Sequence, residues 1–194
     1  KEAGEIGTDY IRSKYLCYKQ LDKLAITPKI TTLFPTLLLG GDDRKPLSHI
    51  SSGIAQVMRG IGLLRFFQVD GSFHFIHAQD VARIVRHLVD HPPEAGESRD
   101  LVLGNPAMTV NQAVEEACDY FGKRIYFRIP LTLKLANFLI ALLRIKVADW
   151  ERFAMRYRHF IHTNPVTPAS FGEPVYCATF TDILKLSGMR RRKR

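Results

Sequence analysis

The stretch KITTLFPTLLLGG, Lys29 to Gly41, is nearly all apolar and rich in β-branched residues. It reads as a buried parallel strand running into a loop. The sequence on either side alternates helix and strand. Upstream, residues 9–25 read as a helix, with Asp9 or Thr8 as cap and Pro28 after its end. Downstream, SHISSGIAQVMRG reads as a helix from Ser48 to Arg59, stopped by Gly60. LLRFFQVD and SFHFIHA read as short strands around a turn at Asp70-Gly71. In QDVARIVRHLVDH, the residues Val81, Ile84, Val85, Leu88 and Val89 form one helical stripe, closed by Pro92-Pro93. DLVLGN is a strand, and TVNQAVEEACDYFG is a helix between Thr109 and Gly122. RIYFRIP reads as a strand before an apolar helix and the helix DWERFAMRYRHF. A short helix is expected at Thr181 to Ser187. This alternation defines an α/β fold. The expectation is the C-terminal part of a Rossmann-type parallel sheet plus a smaller mixed α/β substrate-binding lobe.

The chain has 194 residues, 46% hydrophobic and 24% charged, enough for a real core. Its net charge of +9 points to an anionic partner such as a phosphate-bearing ligand or a membrane surface. Part of that charge is the tail MRRRKR, Met189 to Arg194, a short like-charge run that stays solvated. Cys17, Cys118 and Cys177 lie far apart and show no metal spacing, so a reducing, cytoplasmic setting is expected. The opening residues KEAGEIGTD are polar and read as no signal peptide. The most apolar segment, Leu131 to Trp150, is interrupted by Lys134, Arg144 and Lys146, and its unbroken run is too short to span a bilayer. RFAMRYRHFIH, Arg152 to His162, interleaves basic and aromatic residues, but no nucleic-acid-binding motif accompanies it.

TDYIRSKYLCYKQL, Thr8 to Leu21, holds two tyrosine-lysine pairs at the same spacing, Tyr10 with Lys14 and Tyr15 with Lys19. Residues four apart share a helix face and can meet one ligand. A tyrosine ordinarily loses its proton near pH ~10. A cation beside it favours the charged form and makes the group usable as a general acid or base.

This region resembles the extended branch of the short-chain dehydrogenase/reductase superfamily, the NAD-dependent epimerase/dehydratases. YIRSK, Tyr10 to Lys14, is similar to the Y-x-x-S-K active-site helix of that family. Ile30 to Gly41 resembles its next strand and cofactor-facing loop, FHFIHAQDVARIV its strand-to-helix element, and LVLGNPAMTVNQAVEEACDYFGK a later segment. The resemblance, through Ser13 before Lys14, assigns catalysis to Tyr10 and Lys14 and leaves Tyr15 and Lys19 to packing and solvation. It implies that Tyr10 exchanges a proton with a substrate hydroxyl or carbonyl, and that Lys14 holds the ribose of NAD or NADP. Phe34, Pro35 and Thr36 then pass the nicotinamide, with Phe34 standing where the family commonly has an arginine.

Two elements of the family pattern are missing. No G-x-x-G-x-x-G fingerprint occurs in the chain, so it reads as the C-terminal part of such an enzyme. Residues 1–47 would be the final elements of the NAD(P)-binding domain and residues 48–188 mostly the substrate lobe with returning Rossmann elements. Residues 189–194 would be a basic tail. SFHF, Ser72 to Phe75, also lacks the arginine that nucleotide-sugar enzymes place before this strand. Arg59, Arg65 and His77 are the substitute substrate contacts. Asp80 reads as an acid stabilising its own helix start. The expected partner is a small-molecule substrate, with nucleic acid not expected and a homodimer compatible with the full-length parent. The competing reading is a non-catalytic module whose basic surface engages an anionic partner or makes peripheral membrane contact.

Overall fold

A computed structural model of the chain describes residues 5, 7–94, 99–142 and 149–190. Arg144, Lys146 and most of the basic tail therefore lie outside the described residues. The fold is a partial Rossmann-like α/β arrangement built around parallel strand pairs.

Helix α1, Asp9–Gln20, opens the fold and buries none of its residues. It is shorter than expected, because residues Leu21–Lys23 tighten into a 3-10 turn. A second 3-10 turn, Thr27–Lys29, follows, held by the Thr27 hydroxyl donating to the Leu21 and Leu24 carbonyls. The single strand expected over Lys29 to Gly41 is two strands, β1 (Thr32–Pro35) and β2 (Leu37–Leu39). The break lies at Thr36. Its N–H donates to Leu103 O at 3.0 Å, while the next N–H, of Leu37, donates to His74 O at 3.2 Å. Ladder bonds of one strand alternate between its two edges. The apolar run therefore changes partner here without changing direction.

Ser48 caps α2, His49–Arg59, by accepting from Ser51 N. After a short helix α3, Ile61–Leu64, come β3 (Phe67–Gln68), β4 (Ser72–Phe73) and β5 (Phe75–His77). Helix α4 (Ala78–Asp90), strand β6 (Asp100–Leu103), strand β7 (Met108–Thr109) and helix α5 (Val110–Tyr120) follow. Thr109 closes a capping box with Gln112, as its position before an apolar stripe predicts. Gly122 ends this helix region at φ +63°. RIYFRIP contributes only β8, Ile129–Pro130. Beyond it lie α6 (Leu133–Leu142), α7 (Asp149–Arg156), β9 (His159–Phe160) and α8 (Phe180–Leu186).

β1 pairs with β6 and β2 with β5, both parallel. β3 pairs with β8, and β4 lies between β7 and β9. β5 is buried on both faces, and its neighbouring side chains feed two cores. Phe75 joins Leu39, Met58, Ala117, Cys177 and Leu184. Ile76 joins Ile84 and Leu103, packed by Leu33, Val81 and Leu88. Burying a side chain such as Phe75 or Ile84 contributes about 1.5–3 kcal/mol. The α4 stripe is only partly covered: Val85 and Val89 stay exposed.

Asp80 lies in the first turn of α4 as expected, but its carboxylate engages a distant segment. His77 caps α4, its Nδ1 accepting from Gln79 N at 3.1 Å. The Asp80 carboxylate is fully buried and accepts from Tyr176 N at 2.6 Å and Cys177 N at 3.1 Å. It anchors the returning C-terminal segment to α4. Arg86 strengthens the tie through Glu173 at 2.9 Å. Removing Asp80 leaves two backbone donors without acceptors. Asp80→Ala is expected to cost about 2–4 kcal/mol in urea unfolding. The exposed Asp70→Ala is expected to cost less than about 1 kcal/mol. Equal losses would refute a special role for Asp80.

Candidate functional site

In open α/β sheets, ligands lie outside the carboxyl ends of the parallel strands. Here the ends of β1 and β6 meet at Thr36, Gly104 and Asn105. The Thr36 hydroxyl donates to Leu103 O at 2.9 Å. A Cβ at Gly104 would stand 2.8 Å from Thr36 Oγ1 and 3.0 Å from His74 Cβ. Only glycine permits that approach. Asn105 and His74 are buried and linked. His74 Nδ1 donates to Asn105 O at 2.7 Å, its Nε2 accepts from His162 N at 2.9 Å, and Asn105 Nδ2 donates to Cys177 O at 2.8 Å. These partners assign His74 as the neutral Nδ1–H tautomer.

Helix α1 is tied to β1 and β6 through Tyr18, whose hydroxyl reaches the amino end of β6. The Tyr18 ring packs edge-on against Phe34 at 5.3 Å, and its hydroxyl donates to Asp100 at 2.6 Å. That bond raises the Tyr18 phenol above its ordinary pKa and keeps the proton on. Tyr15 is half-buried on the adjoining face. Tyr10 is 71% exposed, with Lys14 Nζ 5.5 Å from its ring centre. Lys19 stands at the same 5.5 Å from Tyr15. The two pairs thus have one internal geometry and differ in exposure. Ser13 returns its hydroxyl to Tyr10 O within the helix at 2.8 Å.

The other expected contacts have partners of their own or lie exposed. Phe34 faces Tyr18, Pro35 is exposed, and the Thr36 proton is committed to Leu103. Arg59 lies exposed at the end of α2. Arg65 donates to Arg124 O at 2.7 Å and Gly62 O at 3.1 Å and lies over Phe66. His77 is buried, with Nε2 on Gly41 O at 3.1 Å and Nδ1 on its own helix. Arg65 and His77 therefore engage their polar groups inside the protein. His74 and Asn105 had no local signal, because their partners come from segments distant in sequence.

The two buried cysteines supply no nucleophile. Burial pushes the Cys177 thiol up to about 12, with Asp182 and Asp80 adding to the shift. Burial also raises Cys118, against the nearby cations of Arg65, Arg128 and Lys123. Among the described residues, no cluster of three His, Cys, Asp or Glu is placed to hold a metal, and no helix is long and apolar enough to cross a membrane.

No protein-family model matches the chain, and no curated protein matches its sequence. Among solved structures it is similar to a nucleoside-diphosphate-sugar epimerase from Pseudomonas aeruginosa. The identity is 16% and the TM-score 0.50, over 94% of this chain and 55% of that one. At this identity the likeness establishes the fold. The chain spans about half the length of that neighbour.

Two outcomes test the site. Gly104→Ala forces Thr36 and His74 apart and is expected to lower stability by about 1–3 kcal/mol in thermal or urea unfolding. No loss would show that the strand ends are not closely packed. Iodoacetamide at pH 8 is expected to label exposed Cys17 alone in the native protein, since the thiolate is the nucleophile. Equal labelling of Cys177, read by mass spectrometry, would contradict its burial.

Proposed function

We propose that this chain forms the active-site helix and substrate lobe of an extended short-chain dehydrogenase/reductase, an NAD(P)-dependent epimerase, dehydratase or reductase. One observation carries the reading. Tyr10 and Lys14 are adjacent and exposed on a helix that Tyr18 ties to β1 and β6, by its ring to Phe34 and its hydroxyl to Asp100. Residues 1–47 are assigned to the dinucleotide-binding part. Residues 48–188 are assigned mostly to the substrate lobe, with β6 as the returning Rossmann strand.

The residues present fit the ribose end of NAD or NADP in part. Lys14 offers an exposed ammonium and Tyr10 an exposed phenol. The Thr36 hydroxyl has its proton engaged, so contacts at Phe34 to Thr36 fall to the backbone. The cofactor, when bound, takes up and returns the hydride. Tyr10 Oη moves the proton of a substrate hydroxyl or carbonyl, and the Lys14 ammonium holds the ribose. The fold likeness to a nucleotide-sugar epimerase supports a sugar-like substrate, among other small hydroxyl or carbonyl compounds.

The test uses a protein in which this chain is joined to a dinucleotide-binding half. Tyr10→Phe is expected to lower turnover about 100-fold or more, the scale of a lost general acid/base. Tyr15→Phe is expected to change it far less. Equal losses would reassign the catalytic pair.

A further inference from the structure

A cleft of about 350 Å³ opens between the β3–β4 connection and helices α6 and α7. It shares no residue with the Tyr10–Lys14 pair. Its size falls at the lower end of ordinary ligand pockets, which run from about 300 to 1,000 Å³ and are mostly apolar with a few placed polar groups. Among the described residues, Val110, Leu131, Leu133 and Met155 line it and no aromatic ring does. Walls of aliphatic and thioether groups suit a flexible chain better than a flat ring, since methionine adapts to irregular shapes. Gly71 leaves its side of the cleft open, because a Cβ there would already meet Val110 Cγ2 at 3.4 Å.

The cleft's polar groups are Asp70 and Arg158. Arg158 Nη1 pairs with Asp70 at 3.0 Å, and His159 Nε2 stands 3.3 Å from the same carboxylate. One acid thus faces a guanidinium and an imidazole. Arg158 Nε is buried without an acceptor, while 36% of the side chain is exposed, so a ligand head can reach the guanidinium. The chain as a whole carries +9, which favours an anionic ligand head over a cationic one.

We propose that this cleft binds an aliphatic carboxylate, its chain against Val110, Leu133 and Met155 and its head group at Arg158. Dodecanoate, kept below its micelle-forming range, is the probe. Calorimetry is expected to show saturable one-to-one binding, at least tenfold tighter than dodecyltrimethylammonium, which has the same chain and the opposite charge. Val110→Trp fills the cleft and is expected to weaken binding at least tenfold. A readout on the unaltered protein guards against misfolding of that variant. In methyl-labelled protein, dodecanoate is expected to shift the Met155 signal and leave Met58 and Met189 in place. Absence of saturable binding, equal affinity for the two head groups, or an unmoved Met155 signal would each overturn the proposal.

Discussion

The structure depends on one buried carboxylate. Asp80 accepts two backbone N–H groups of the segment at Tyr176 and Cys177, which would otherwise enter the core without partners. An unpaired buried donor is costly, and a buried charge without partners more so. Each satisfies the other. The same segment offers its Cys177 carbonyl to Asn105, and Asn105 offers its own carbonyl to His74. A continuous polar connection therefore runs from α4 through the C-terminal return to the ends of β5 and β6. It places Phe180, Ile183 and Leu184 over the face of the core that Phe75 enters.

From that frame the site follows. With β5 and β6 held together, the apolar run from Thr32 to Leu39 pairs with one and then the other, changing over at Thr36. Thr36, Gly104 and His74 approach closely at that change-over. Tyr10 and Lys14 lie exposed on α1. Tyr18 sets that helix by a ring contact to Phe34 and a hydrogen bond to Asp100.

Much of this was legible in the sequence where the signal is local. Thr109 with Gln112 marked a helix start, and Ser48 another. The stripe through Val81, Ile84 and Leu88 marked α4 and its buried face. The tyrosine-lysine spacing placed Tyr10 and Lys14 on one side of α1. What was hidden depends on distance along the chain. Asp80 has an ordinary helix-start position, and only a partner 96 residues away turns its carboxylate inward. His74 and Arg65 look like free polar side chains until the segments at His162 and Arg124 reach them. The division of one apolar run into two strands was equally invisible, because side-chain pattern reports burial and not which edge is paired.

The hand-over at Thr36 also constrains movement. Hinged enzymes close over substrate by concentrating backbone rotation in a few residues. A strand hydrogen-bonded to β6 on its first half and to β5 on its second acts as a splint across the line where two lobes would part. Asn105 N donating to Phe75 O at 2.8 Å reinforces it from the other side. Any opening and closing of this protein must therefore leave that seam intact and arise in peripheral elements.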